Sequence, residues 1–132
     1  MNKKRIEKMI PVAMDILSKN TCDILTDDGK IPSNYSGYID SYGPTIRQSG
    51  ILQAVTFNEK EKRKKINCLL EVVLKEDGYI ENNSNKKLIN FVKEASGNSE
   101  EKARLQRLIL EAITACKHAM KTFPEHKVKD SN

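Results

Sequence analysis

Apolar residues recur along this chain at three- and four-residue spacing, and hardly anywhere at spacing two, so the pattern predicts helices almost throughout. Ile6, Met9, Ile10, Ala13 and Leu17 form the first stripe. Pro11 sits inside it and is expected either to kink that helix or to mark its effective start. Turn chemistry then predicts a loop over Thr26–Asn34, punctuated by Asp28-Gly29 and Pro32. Gly43-Pro44 reads as the next helix start, because glycine is tolerated at an N-cap and proline loses nothing at the first helical position. An extension backwards through Tyr38 and Ile39 stays open. Ile46, Gly50, Ala54 and Phe57 share one side of this element, and Ile51, Leu52 and Val55 widen its apolar surface beyond one stripe.

The third helix is predicted over Glu59–Glu76, where Ile66, Leu69, Leu70, Val73 and Leu74 complete an amphipathic stripe and Asp77-Gly78 stops the run. A short fourth helix over Asn85–Ser96 buries Leu88, Phe91, Val92 and Ala95, and Gly97 ends it. Asn98 caps the last helix, with Glu101 three residues on in a capping-box pattern. Leu105, Leu108, Ile109, Ala112, Cys116, Ala119, Met120 and Phe123 make its inner face, and Pro124 closes it. The fold class is therefore all-α: a compact bundle of about five to six helices in a single domain. That domain is expected to span residues 1–124, with residues 125–132 as a flexible C-terminal tail.

Length and composition narrow the picture. The chain has 132 residues, enough for one hydrophobic core. Aromatic residues are only 5% and tryptophan is absent, so the core must be mainly Ile, Leu, Val, Met and Ala. With 23 Lys+Arg against 18 Asp+Glu, the formal net charge is +5. That excess favours an anionic partner, nucleic acid ahead of an acidic membrane surface. The same lysines also fit a coding bias, since asparagine and isoleucine are abundant too. Cys22, Cys68 and Cys116 are widely separated and include no C-x-x-C pair, so neither a disulfide framework nor a zinc site is expected. Cys68 and Cys116 lie in helical patterns and read as small buried hydrophobes. Glu7, Lys8 and Asp15 interrupt the N-terminal apolar run, which excludes a signal-peptide core, and no stretch has the length of a membrane span. A soluble, cytoplasmic protein is expected.

Catalysis lacks its parts. His118 shares a predicted polar face with Arg104, Arg107, Glu111, Thr114 and Lys121, and His126 lies in the tail. Neither has an evident acid–base partner. No G-x-S-x-G elbow and no phosphate-binding glycine loop occur. The carboxylates are dispersed among lysines, so no metal and no cofactor is expected. The reading is a non-enzyme.

The cations, by contrast, are concentrated. Lys3, Lys4 and Arg5 open the chain, Lys60, Lys62, Arg63, Lys64 and Lys65 crowd the start of the third helix, and Lys86 and Lys87 begin the fourth. Positive charge at a helix N-terminus opposes the macrodipole, a cost that a negatively charged partner would offset. The candidate RNA contacts are Arg47, Arg63, Lys64, Lys65, Lys86, Lys87, Arg104 and Arg107. Tyr35, Tyr38 and Tyr42 cluster at helical spacing, which suits core packing at least as well as base stacking. Backbone contact without base readout is the better form of the RNA reading.

The segment "PTIRQSGILQAVTF" resembles the signature helix of the small subunit of type III-B CRISPR effector complexes, the Cmr small-subunit family. Pro44, Ile46, Gly50, Leu52 and Phe57 carry the match and are its candidate packing or interface residues. The family's last helix often carries further aromatics, and the loop at Thr26–Asn34 has no counterpart in it. The resemblance implies a non-catalytic subunit that stacks beside the guide RNA with copies of itself and other effector subunits. It implies a share in holding the guide–target RNA duplex during antiviral defence. In that setting Gly50 is expected to let a helix approach closely, from the same chain or from a neighbouring copy. A type III-A small subunit and a free-standing helical nucleic-acid-binding protein remain as alternatives.

Overall fold

The computed structural model describes residues 1–83 and 85–128. Among these, six α-helices form one all-α bundle: α1 (Lys3–Ser18), α2 (Ser33–Ser49), α3 (Ile51–Phe57), α4 (Lys64–Glu76), α5 (Leu88–Ala95) and α6 (Ser99–Met120). A single 3₁₀ turn at Glu61–Arg63 leads into α4. The long α6 is the axis. Leu105, Leu108, Ile109, Ala112, Ile113, Cys116 and Ala119 are buried along it, and α1 packs most extensively against it. α4 fits between these two, α2 lies on α6, and α3 packs on α5. The core is mainly aliphatic, with Tyr35 and Tyr42 its buried rings.

α1 starts at an Asn2 cap, whose Oδ1 accepts the Arg5 N–H at 3.0 Å. Pro11 neither starts nor ends the helix, which runs straight through its position from Lys3 to Ser18. Met9, Ala13, Ile16 and Leu17 are buried on both sides of it, and this packing outweighs the roughly 3 kcal/mol that an interior proline costs. α6 begins as its sequence predicts, with Asn98 Oδ1 accepting the N–H groups of Glu100 and Glu101 at 3.1 Å each. The Glu101 carboxylate turns instead to Arg104, 2.9 Å away.

Two expectations for the middle of the chain are overturned. Gly43-Pro44 is not a helix start, because α2 begins ten residues earlier at Ser33. Tyr35, Ile39, Tyr42 and Ile46 form its buried stripe and carry the helix across the proline. Gly50 is not a point of close helix approach either. It is the break between α2 and α3, with φ 87° and ψ 164°, and a Cβ placed there would meet nothing within 4 Å. That backbone region is essentially restricted to glycine, and any side chain would be strained by about 1–3 kcal/mol. The glycine serves conformation, not contact.

The cysteines give a third correction. Cys22 and Cys68 are joined as a disulfide across a sequence separation of 46, while Cys116 is a free, fully buried thiol. Cys68 is thus bridged, and it packs only partly buried against the core. The turn after α1 folds back over α4 and brings the two Cα atoms to 5.9 Å, within bridging range. The chain's last described residues are also tied down. β1 (Ile31–Pro32) pairs in parallel with β2 (Glu125–His126), and the Val128 N–H donates to Ser33 Oγ at 2.9 Å. The predicted tail at 125–132 is thus anchored at its beginning, and residues 129–132 lie outside the described ones.

Candidate nucleic-acid interface

The start of α4 is an unusual helix entrance. No side chain caps it, its first turn holds no acid, and Arg63, Lys64 and Lys65 stand where the macrodipole is positive. What holds this entrance is a buried polar node behind it. Asn67 accepts the Tyr42 hydroxyl and donates to the Val55 carbonyl at 3.1 Å and to Glu59 Oε2 at 2.7 Å. One side chain thereby ties α2, the end of α3 and α4 together. Burial, with the nearby Glu59 charge, pushes the Tyr42 hydroxyl well above its ordinary pKa, so it stays a neutral donor.

In front of that node the cations divide. Arg63 is half-buried, its guanidinium 4.4 Å from the centre of the Tyr38 ring and 5.0 Å from that of Phe57. Phe57 is 46% exposed, and Lys60 lies over it as well, at 5.5 Å. Tyr35 and Tyr42 are buried core residues, and of the clustered tyrosines on α2 Tyr38 lies under Arg63 while Tyr35 reaches Lys65. Lys64, Lys65 and Lys87 line one hollow of about 230 Å³, whose other walls are Glu59, Asn67, Cys68 and Glu71. Both of its carboxylates are occupied: Glu59 by Asn67, and Glu71 by Lys75 at 3.1 Å and by the Leu88 N–H at 2.8 Å. Lys65 pairs with Asp23 at 3.1 Å. Burial alone would lower its pKa, but hydrogen bonds and charge from Asp23 and Tyr35 raise it, so it stays cationic. Among the described residues Lys64 and Lys87 form no ion pair.

The other candidates are placed elsewhere. Lys86 pairs with Glu94 at 2.9 Å, and Arg104 with Glu101. Both line a second, larger hollow of about 560 Å³, in which Glu81, Glu94 and Glu101 outnumber them. Arg47 is exposed at the end of α2, and Arg107 is exposed on α6. Of the signature residues, Ile46 is buried, whereas Pro44, Leu52 and Phe57 are exposed, Leu52 by 36%.

One charged residue departs from its predicted place. Glu111, expected on the solvated face of α6 beside His118, is fully buried. Arg5 grips it with two bonds, Nε to Oε1 at 2.7 Å and Nη2 to Oε2 at 2.9 Å, and the Asn2 N–H adds a third at 3.0 Å. Burial would raise its pKa, but Arg5 and Asn2 outweigh this and hold it below the usual carboxylate range. Its position three residues after Leu108 and four before Ala115, both buried, was the available signal. Arg5 is thereby taken up in structure.

Among the described residues no group of His, Cys, Asp and Glu is gathered so as to hold a metal ion, and no helix is long and apolar enough to cross a membrane. Fold and surface together define a small all-α protein with one basic edge beside a helix entrance, a surface suited to an anionic partner. A family model described as CRISPR-associated protein (Cas_Cmr5) matches residues 11–123, and the chain belongs to that family, which is consistent with the small subunit of type III-B complexes. Comparison with curated proteins and with solved structures found no match.

Proposed function

We propose that this chain is a non-catalytic structural subunit of a type III-B CRISPR effector complex, working in the cytoplasm in antiviral defence. It stacks with copies of itself and with other effector subunits beside the guide RNA, and it contacts the phosphates of the guide–target duplex. The observation that carries this reading is the gathering of Lys64, Lys65 and Lys87 around one hollow at the start of α4, with Arg63 immediately before Lys64. Three positive residues in succession against an uncapped helix start are unfavourable in isolation and become favourable against a phosphate backbone. Contact with backbone over sequence is the form of RNA binding that clustered cations suit. Modest contacts by each copy would add up along a stack through effective concentration.

The test is the salt dependence of target-RNA binding by the assembled complex. Charge reversal of Arg63, Lys64 and Lys65 together should lower the slope of log affinity against log salt by about two for a single strand when all three touch phosphates, because each lost phosphate contact removes released counterions. Equal slopes for wild type and triple variant would reduce this edge to a solvated face and leave assembly as the protein's role. His118→Ala and His126→Ala should leave RNA cleavage by the complex intact. A large loss with assembly unchanged would overturn the non-catalytic reading.

A further inference from the structure

We propose that the Cys22–Cys68 disulfide is a redox control on the basic hollow, setting how many of its cations are available to RNA. The inference rests on the RNA-contact reading above and concerns the regulation of that same edge. Its basis is placement. Cys68 forms part of the wall of the hollow that Lys64, Lys65 and Lys87 line. Cys22 belongs to the turn after α1, and the next residue, Asp23, is the one that neutralises Lys65 at 3.1 Å. The bridge therefore pins a carboxylate onto one of the hollow's three lysines. Asp23 itself is highly exposed, with a side chain 82% accessible, and its φ of 57° marks a backbone conformation that needs support from its neighbours. The turn keeps its own shape through Asn20, whose carbonyl accepts the Asp23 N–H at 3.0 Å and whose Oδ1 accepts the Ile24 and Leu25 N–H groups at 2.8 and 2.9 Å, so the part left to the bridge is to tie that turn covalently to α4, beside Lys65.

The chemistry is thiol–disulfide exchange with a dithiol reductant. Cys22 is buried and Cys68 only partly so, and a reductant thiolate attacks the Cys68 sulfur from the hollow, where Lys64 and Lys87 attract its negative charge. The Cys22–Cys68 bond breaks and a mixed disulfide forms between Cys68 and the reductant. The second reductant thiol then displaces Cys68 and closes the reductant's own disulfide. Two electrons and two protons pass to the protein, which is left with two thiols. Disulfides inside cells are mostly transient or redox-sensing, which fits a bridge whose reactive face opens into a binding surface. RNA lying over the hollow would cover Cys68 and slow its reduction, while at equilibrium linkage would make RNA favour the reduced form that binds it more tightly.

The experiment uses complex assembled from protein purified without reductant. Thiol alkylation and mass mapping report the state of Cys22 and Cys68, and target-RNA affinity is read at two salt concentrations before and after a dithiol. Reduction should steepen the salt slope by about 0.7, one further phosphate, and raise affinity roughly fourfold at moderate salt. Asp23→Asn, which frees Lys65 while keeping the bridge, should give the same change in oxidised complex. The Cys22→Ser/Cys68→Ser double variant should give it with no response to dithiol. Bound RNA should also slow reduction. Complete alkylation of both cysteines without reductant would overturn the proposal. So would unchanged slopes on reduction and in Asp23→Asn, provided that the Arg63, Lys64 and Lys65 reversal still flattens the slope. If that reversal changes nothing either, the RNA reading itself has failed.

Discussion

Lys86 and Lys87 are consecutive in the chain and belong to different electrostatic settings. Lys87 faces the smaller hollow, where the two glutamates are already engaged and Lys64 stands unpaired opposite it. Lys86 faces the larger one, bound to Glu94 and surrounded by Glu81, Glu101 and the Glu101–Arg104 pair. Three lysines against two occupied glutamates leave the first region open to an anion, whereas two cations against three glutamates leave the second closed to one. A run of basic residues thus says little until each charge has been matched with its neighbours in space. Exposed ion pairs contribute little to stability, yet they can remove a cation from the pool available for binding.

The largest effect expected from this contrast is in the first region. Lys64→Glu with Lys87→Glu should weaken target-RNA binding by the assembled complex roughly tenfold at moderate salt, about what two lost phosphate contacts amount to. A change below twofold would remove the distinction between the hollows. Lys86→Glu with Arg104→Glu should behave in the opposite way. RNA affinity should move by less than about twofold, since neither cation is available, while the melting temperature falls as attraction to Glu94 and Glu101 turns to repulsion. A tenfold loss of binding in that variant would show that the larger hollow also contacts RNA.

The smallest effect expected is with pH. The Arg104 hydrogen bonds hold the Glu101 pKa below its ordinary value, so Glu101 keeps its charge as pH falls through the usual carboxylate range. Because the folded-state pKa is the depressed one, the stabilisation is present above the unfolded value of about 4.3 and is lost only as pH falls through the folded value. Lowering pH from 7 to 5 should therefore leave Arg104 masked and RNA affinity within about twofold of its neutral value. A marked rise in affinity at pH 5 would mean that the glutamates of the larger hollow release their cations early.

The sequence carried most of the helices and rather less of the site. α4 and α6 were legible because their apolar stripes run unbroken and end at Asp77-Gly78 and begin at Asn98. α2 was half hidden, since Gly43-Pro44 imitates a helix start, although Tyr35, Ile39, Tyr42 and Ile46 already kept helical spacing across it. The role of Gly50 depends on a backbone angle, which residue spacing does not encode. Arg63, Lys64 and Lys65 could be seen as a contiguous cluster, but the arrival of Lys87 depends on how α5 packs on α4. The Cys22–Cys68 bridge was out of reach for a similar reason, because it needs the turn after α1 to fold back over a helix far along the chain.

Arg5 and Glu111 are 106 residues apart, and the helices they join make the most extensive contact in the molecule. On a ribosome, α1 emerges first and its partner α6 last. At synthesis rates of about 5–20 residues per second, the buried face of α1 waits roughly 5–20 s for its partner. Met9, Ala13, Ile16 and Leu17 are without their α6 contacts for that time, and no stable fold can form around α1 and α6 until α6 has emerged. A surface that needs the folded bundle is therefore presented only by a chain that already carries α6.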